Sequence, residues 1–499
     1  MKINVTTENI SKLNTDGLVI TVFEGIKKPT GYAAQLDKLF NGEISRLIKA
    51  GEIKGKFNEN TILHTMGKIP ARILIVAGLG KKQEFDLDKL RNMAGGTSRT
   101  LNKMNCRHIA IALSGETQSA IDIKDMAQAS IEGALMGLYS FNRHISKRPE
   151  YSDVTELIIV TDIKAGLKSV KSTCNNGQII AEATNYARDL VNEPGNYMTP
   201  TDMVKVARDI AGKAGLELQV MERAQMKKEG MGALLGVAQG SAQPPKLIIL
   251  TYKGDAKSKK HIGYIGKGIT FDSGGISIKP STNMKEMKGD MSGGAAVIAA
   301  IYAVARLKLK VNITAFVGAT ENLPGGKAIK PGDIVEAING KTIEVDNTDA
   351  EGRLTLADVL GYAVKHKLSP LIDIATLTGA CQVALGDIYS GLFTNNQKFA
   401  DEVLQAANNA GELLWQLPMK EDYRELNKSD VADIKNSGGR YGGAITAAMF
   451  LSEFVDDTPW VHLDIAGTFM GDKDKGYQVK GATGVAVRTL IKLAELMAK

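Results

Sequence analysis

The stretch His261-Ile262-Gly263-Tyr264-Ile265-Gly266-Lys267-Gly268-Ile269-Thr270-Phe271-Asp272-Ser273-Gly274-Gly275-Ile276-Ser277-Ile278-Lys279-Pro280 decides how the rest of the chain is read. It opens as the apolar run of a buried strand, His261 to Ile265, and passes into a glycine-rich loop carrying two lysines and an aspartate. In open α/β sheets ligands bind in the crevice beyond the carboxyl ends of the strands. Ionisable residues directly after a buried strand therefore mark where chemistry is expected.

Outward from that stretch, further strand candidates are Lys246 to Tyr252, Val311 to Gly318, Leu371 to Thr376 and Val461 to Ile465. Helical spacing of apolar positions occupies Thr201 to Ala214, Gly293 to Leu307, Leu354 to His366 and Ala444 to Phe454. Buried strands alternating with helices predict a mostly parallel sheet covered on both faces. Upstream, Gly17 to Phe23, Ala71 to Ala77, Arg107 to Leu113 and Leu157 to Thr161 read as strands and Asp122 to Leu138 as a helix, which together make a smaller α/β unit. Asn142 to Ser152 reads as a surface loop. A helical pattern from Lys164 to Val191 then joins the two units, until Asn192-Glu193-Pro194-Gly195-Asn196 breaks it. The expected organisation is an N-terminal domain over 1–163, a linker helix over 164–191 and a C-terminal catalytic domain over 192–499.

Composition bounds the class. A chain of 499 residues is too long for one ordinary core, and 43% hydrophobic with 23% charged residues is a soluble globular balance. No run approaches the roughly 20 apolar residues of a membrane span; Ala295 to Leu307 is too short and contains Arg306. Met1-Lys2-Ile3-Asn4-Val5 does not read as the start of a signal peptide. Cys106, Cys174 and Cys381 are scattered and form no paired spacing, which favours a reducing cytoplasm. The net charge of +7 comes from 62 basic and 55 acidic residues. The basic run Lys257-Ser258-Lys259-Lys260-His261 reads as a solvated hairpin tip rather than a nucleic-acid patch.

The carboxylates carry the argument. Lys288-Gly289-Asp290-Met291-Ser292 precedes an apolar helix, so Asp290 is either its cap or a ligand. In Asp346-Asn347-Thr348-Asp349-Ala350-Glu351-Gly352-Arg353-Leu354, the acids Asp349 and Glu351 are two apart and would share one face of an extended chain. Two such carboxylates stay ionised together only with a cation between them. Asp272, Asp290, Asp349 and Glu351 all fall in loops at expected strand ends, and four converging carboxylates can hold two divalent cations roughly 3.5–4 Å apart. Oxygen ligation suits Mn²⁺ or Mg²⁺, with Zn²⁺ also compatible. None of the six histidines lies in these loops. Lys267 beside cations would lose its proton and could donate its lone pair, whereas Lys279 could stay charged and polarise a carbonyl; both could equally be surface lysines. Arg353 after Gly352 offers an anion site at a helix start or a salt bridge to a neighbouring acid.

The octapeptide Asn347-Thr348-Asp349-Ala350-Glu351-Gly352-Arg353-Leu354 resembles the signature of the leucine aminopeptidase family of dinuclear metallopeptidases. Gly266 to Gly275 is similar to the family's first metal-binding loop. Asn192 to Asn196 with Thr199-Pro200, Gly442 to Thr446 and Asp464 to Gly467 match further family segments, so the likeness runs from about Asn192 onward and is weaker before it. The resemblance implies a small macrodomain-like N-terminal α/β domain and a larger α/β/α zinc-peptidase-like C-terminal domain. It implies two divalent cations per subunit (Mn²⁺ or Zn²⁺, with Mg²⁺ and Co²⁺ as alternatives). Asp272, Asp349 and Glu351, with the Asp349 carbonyl, would hold one, and Lys267, Asp272, Asp290 and Glu351 the other. Lys279 would support the transition-state oxygen, and Arg353, with the backbone at Leu377, would hold bicarbonate as general base. The first side-chain pocket would include Met287, Thr376, Gly379 and Ala466. Phe469 stands near the rim, where many members have Met, which leaves the preferred side chain open. The implied activity is removal of N-terminal residues, Leu and other apolar ones preferred, from peptides by a cytoplasmic homohexamer. Two other readings stay open at this level: a nucleic-acid-binding regulator, for which no helix-turn-helix or aromatic-basic stretch stands out, and a two-metal phosphatase or nuclease, against which the lysine and the octapeptide argue.

Overall fold

The computed structural model describes residues 1–113, 121–147, 153–162 and 166–498. The chain divides into two compact units, Met1–Glu182 with Asp472–Lys480, and Ala183–Gly471 with Gly481–Lys499. The division falls within one continuous helix, Leu167–Asn192. The expected boundary at 163/164 and the end of the expected surface loop, 148–152, lie outside the described residues.

The first unit is a six-stranded sheet in the order Lys2–Thr6, Glu156–Thr161, His108–Leu113, Gly17–Val22, Ile73–Gly78, Asn60–His64. All neighbours are parallel except the last pair. Helices Leu87–Lys103 and Ile123–Gly137 bury Leu90, Met93 and Ile131 against one face of this sheet. Helices Gly31–Leu39 and Glu43–Lys49 bury Leu36, Ile44 and Leu47 against the other. Asp86 and Asp122 cap the two longer helices through the N–H groups of Lys89 and Lys124. The four inner strands are buried on both faces, as their near-continuous hydrophobic runs require, whereas the edge strands Lys2–Thr6 and Asn60–His64 are mostly exposed or half-buried.

The second unit is an eight-stranded sheet ordered Leu414–Gln416, Ser390–Thr394, Trp460–Asp464, Leu371–Ala375, Ile262–Asp272, Asn312–Asn322, Lys246–Lys253, Glu217–Met221. The four central strands are mutually parallel. Lys246–Lys253 is antiparallel to Asn312–Asn322 and to Glu217–Met221, and Ser390–Thr394 is antiparallel to Trp460–Asp464. Leu414–Gln416 is parallel to Ser390–Thr394, so four of the seven neighbouring pairs are parallel and three antiparallel: the sheet is mixed, with a parallel centre. A parallel crossover needs about a dozen residues or more, and the short link from Lys253 to Ile262 leaves only reversal of direction. That link is not a hairpin tip either, because Asn312–Asn322 lies between the two strands it joins; Lys257, Lys259 and Lys260 on it are exposed.

Strand alternation sends the central residues to two cores. Ile265 joins Leu354, Val359 and Leu360 of the helix Glu351–Lys365, while the Tyr264 hydroxyl donates to Leu490 O of the helix Val487–Met497 on the opposite face, at 2.9 Å. The stretch Met284–Leu307 is long and apolar enough to cross a bilayer by composition, yet 83% of its apolar window is buried inside the fold. Its helical part, Ser292–Leu307, starts with glycines because the sheet comes too close for side chains. A Cβ on Gly293 would lie 1.9 Å from Ile374 O and 3.1 Å from Lys267 N. A Cβ on Gly266 would lie 2.6 Å from Gly293 O. This backbone-to-backbone contact brings the helix start onto the middle of Ile262–Asp272 and the end of Leu371–Ala375. Gly293→Ala is expected to destabilise the protein by about 1–3 kcal/mol, the usual cost of overpacking, read as a lower urea midpoint; an unchanged midpoint would mean the helix can lift without penalty.

Candidate metal centre

Four central strands deliver polar residues to one edge of the sheet. Asp272, Asn322 and Asp464 are the last residues of their strands, and Thr376 follows Leu371–Ala375 directly. Lys267 lies within its strand rather than in a loop, because strand geometry continues from Ile262 to Asp272 despite the glycines. Parallel pairing with Asn312–Asn322 runs the whole length of the strand, and with Leu371–Ala375 as far as Gly266, so Gly266 and Gly268 do not open it. Glu351 and Arg353 sit in the first turn of the helix Glu351–Lys365. Asp349 lies in the turn before it, its N–H donating to Asn347 Oδ1 at 2.9 Å. The expectation that Asp349 and Glu351 share one face of an extended chain therefore fails, since a turn and a helix start separate them. Asp290 does not cap the helix that follows; Met291 holds that position. The Asp290 side chain turns inward, accepting from Thr376 Oγ1 at 2.6 Å.

Asp272, Asp290 and Glu351, all buried, offer carboxylate oxygens within 4.8 Å of one another. Two lysines interleave with the acids. Lys267 Nζ lies 2.7 Å from Asp290 Oδ2, 2.9 Å from Glu351 Oε1 and 2.9 Å from Thr376 O. Lys279 Nζ lies 2.8 Å from Asp272 Oδ2 and pairs with Asp349 Oδ1. Neither lysine is an ordinary surface residue: Lys267 is 3% exposed and Lys279 22%. Gly352 is required where the Lys267 side chain passes, because a Cβ there would lie 2.7 Å from Nζ. Gly274 and Gly275 adopt φ of 89° and 69° and fold the loop over Asp349 and Asn322.

Charge is unbalanced here, with four carboxylates against two ammonium groups. Burial alone would strip the proton from Lys267, but Asp290, Glu351 and Asp272 outweigh it and hold the ammonium above the ordinary lysine range. Lys279 shifts the same way, burial again being overcome by Asp272, Glu351 and Asp349. With only the protein's own charges around it, Lys267 is an ammonium, not the neutral amine expected beside cations. The acids are left short of cations: burial pushes Asp290 and Glu351 up, and the neighbouring acids add to it. Burial likewise raises Asp349. A buried, oxygen-rich, net negative cluster with one amine nitrogen fits hard divalent cations.

Arg353 is buried, and burial lowers its guanidinium to about 10 despite Glu351, Asp464 and Asp349 nearby. Its Nη1 donates to Asn436 O at 2.6 Å, and among the described residues its Nε has no partner. Among the described residues it forms no ion pair, so the salt-bridge alternative for Arg353 is not realised. Asp464 organises the adjoining loop: its Oδ1 accepts from Leu377 N and Ala466 N, each at 3.1 Å, and its Oδ2 from Thr378 Oγ1 at 2.6 Å. Gly379 opens the next short helix and is exposed. Met287, half-buried, accepts from Asp290 N through its carbonyl at 3.3 Å, and the Phe469 ring closes on Gly289, where a Cβ would lie 2.6 Å from it.

Three residues of the site escape sequence reasoning by residue type. Asn322 Nδ2 reaches Asp272 Oδ1, Asn436 Nδ2 reaches Asn347 O at 2.7 Å, and Asp464 is quoted above only as part of a segment. Their position at strand ends was the available signal for Asn322 and Asp464. Asn436 follows a two-residue strand, Ile434–Lys435, that carries no readable pattern.

Comparison with known proteins follows the same division. Residues 19–148 match the N-terminal domain and 185–491 the catalytic domain described for the cytosol aminopeptidase family. The chain is 46% identical over 501 residues to a "Probable cytosol aminopeptidase" of Alkaliphilus metalliredigens, covering all of both, and 46% identical over 496 residues to that of Solibacter usitatus, covering 99% of each. Among solved structures, a point mutant of tomato leucine aminopeptidase superposes with a TM-score of 0.89 at 34% identity, over 99% of this chain and 96% of that one. The bottromycin maturation enzyme BotP in complex with Mn gives 0.86 at 33% identity, over 97% and 100%.

Truncating the loop anchor tests how the crevice is held. Asp464→Ala would leave the N–H groups of Leu377 and Ala466 without their acceptor, at about 1–3 kcal/mol for a buried unsatisfied group. Hydrogen exchange should show faster exchange confined to Thr376–Gly379 and Ala466; protection equal to wild type would contradict the anchoring role.

Proposed function

This chain belongs to the cytosol aminopeptidase family and is a metallo-exopeptidase acting on peptides, and on that premise we propose that its crevice releases N-terminal residues, Leu and other apolar ones preferred, with two divalent cations. The observation that carries this reading is the buried trio Asp272, Asp290 and Glu351, with ligand atoms within 4.8 Å. Asp272, Asp349 and Glu351 would hold one cation, and Lys267, Asp272, Asp290 and Glu351 the other. Bound there, the cations supply Lewis-acid polarisation of the scissile carbonyl and acidify water, and bicarbonate supplies a base.

The chain's own residues do the rest. Lys279, an ammonium on a partly exposed arm, can turn from Asp272 to donate to the developing oxyanion. Arg353 stays charged at neutral pH and has an unpartnered Nε to offer the anion. The backbone at Leu377, whose N–H is given to Asp464 Oδ1 in this structure, would help to hold the same anion. Met287, Thr376, Gly379 and Ala466, with Phe469 at the rim, would line the pocket for the first side chain and exclude water from it. We extend the reading to a homohexamer working in the cytoplasm, where the names of its relatives put them; sedimentation measures the assembly.

Glu351→Ala should abolish hydrolysis of leucine-p-nitroanilide, at least about 10³-fold, while circular dichroism remains that of wild type. Turnover within a few-fold of wild type would reject the dinuclear reading. A second test uses pH. Lys267 must give up its proton to become a ligand, and its ammonium is favoured by its acid neighbours. Mn²⁺ binding should therefore release protons and tighten as pH rises from 6 to 8; calorimetry in buffers of different ionisation enthalpy reads both, and pH-independent affinity would remove Lys267 from the ligand set.

A further inference from the structure

The two acids proposed to bridge the cations are sorted by one neutral side chain. Asn322 ends the strand Asn312–Asn322 and stands opposite Asp272 in the parallel register, just past a bulge at Thr320/Glu321. It is 3% exposed. Its Nδ2 donates to Asp272 Oδ1 at 2.8 Å and to Thr348 O at 3.0 Å, with a longer contact to Glu351 Oε2 at 3.4 Å. Its backbone carbonyl accepts from Ser273 N at 3.0 Å and Ser273 Oγ at 2.8 Å. One residue thus ties together the strand end, the glycine loop and the turn before the Glu351 helix.

The pattern of oxygens gives the tie a direction. Asp272 Oδ1 is held from behind by Asn322 and by Gly274 N at 2.9 Å, while Oδ2 faces Lys279. Glu351 presents Oε2 to Asn322 and Oε1 to Lys267. The amide contacts one oxygen of each acid and leaves the other to a lysine, Asp272 Oδ2 to Lys279 and Glu351 Oε1 to Lys267. A carboxylate in this position would repel Asp272 Oδ1, and an aliphatic residue would let both acids rotate. Among the side chains contacting Asp272 and Glu351, the lysines are themselves charged and would have to rearrange or lose a proton as cations enter. Asn322 has no charge to lose.

We propose that Asn322 is a positioning residue for the metal centre: its amide fixes which oxygens of Asp272 and Glu351 face the cations. The inference rests on the two-cation reading above. Residues that orient ligating carboxylates typically contribute about 10–100-fold to metal affinity or activity.

The test uses full-length protein stripped of metal and titrated with Mn²⁺ by equilibrium dialysis, then assayed on leucine-p-nitroanilide at saturating Mn²⁺. Asn322→Ala should bind Mn²⁺ about 10–100-fold more weakly. At saturating metal its kcat should fall at least about tenfold with KM within about twofold of wild type, a split that a loosened fold alone would not produce. If Asn322→Ala does not fold, Asn322→Asp, which keeps the volume and replaces the donor by an acceptor, should show the same kcat loss. Wild-type Mn²⁺ affinity and kcat in the folded variant overturn this inference alone. A wild-type protein that binds no Mn²⁺ overturns the two-cation reading and this inference with it.

Discussion

Everything in the catalytic unit answers to a surplus of negative charge kept out of water. Asp272, Asp290 and Glu351 are buried side by side, with Asp349 partly so; Lys267 and Lys279 pair with them directly, and Arg353 lies near Glu351 and Asp349. Desolvating a carboxylate costs several kcal/mol after relaxation, and pairing repays it only with good geometry and further hydrogen bonds. The fold supplies both from rigid sources. Two acids are fixed at a strand end and a helix start, and the third lies in a turn pressed onto the sheet by Gly293. Backbone groups and neutral side chains, Gly274 N, Thr376 Oγ1 and Asn322 Nδ2, fill lone pairs that the lysines do not reach.

Small residues are the means by which this is assembled. Gly293 and Gly266 let a helix end touch two strands, and Gly352 lets the Lys267 side chain pass beneath the helix that carries Glu351. Each is a site where packing and chemistry are the same constraint, since adding one methyl group would move a charged group. The helix Glu351–Lys365 is held at its middle as well: Asp358, fully buried, accepts from Leu234 N and Ile338 N, each at 2.8 Å, and burial raises its carboxyl to about 7. Glu351 and Arg353 thus project from a helix fixed two turns further along.

Much of this was legible before any coordinates. The apolar runs at Gly17, Ile73, His108, Lys246 and Leu371 are strands in the structure, and the two-domain α/β class stands. The octapeptide and the glycine-rich stretch led to the residues that converge. What could not be read depends on pairing between distant segments. Strand direction is set by the length of links and by partners, so the mixed sheet was hidden in a pattern of alternating elements. The extension of the strand through Lys267 to Asp272 was masked by glycines that local propensity assigns to a loop. Asn322 lies past Gly318, where its strand was expected to end, and Asn436 has no distinguishing neighbours in sequence; the importance of both comes from what they touch, 50 and 89 residues away.

The link between Lys253 and Ile262 carries a consequence for how the molecule can be handled. It enters the strand Ile262–Asp272 at the end remote from Asp272. At about 3.3 Å per residue, the ten steps from Ile262 put Asp272 about 33 Å from the start of the strand, and the five steps to Lys267 about 17 Å. Even the shorter distance is about two screening lengths at physiological salt, about 8 Å each. A tether, label or charged support attached through Lys257, Lys259 or Lys260 would therefore be electrically silent at the acid cluster.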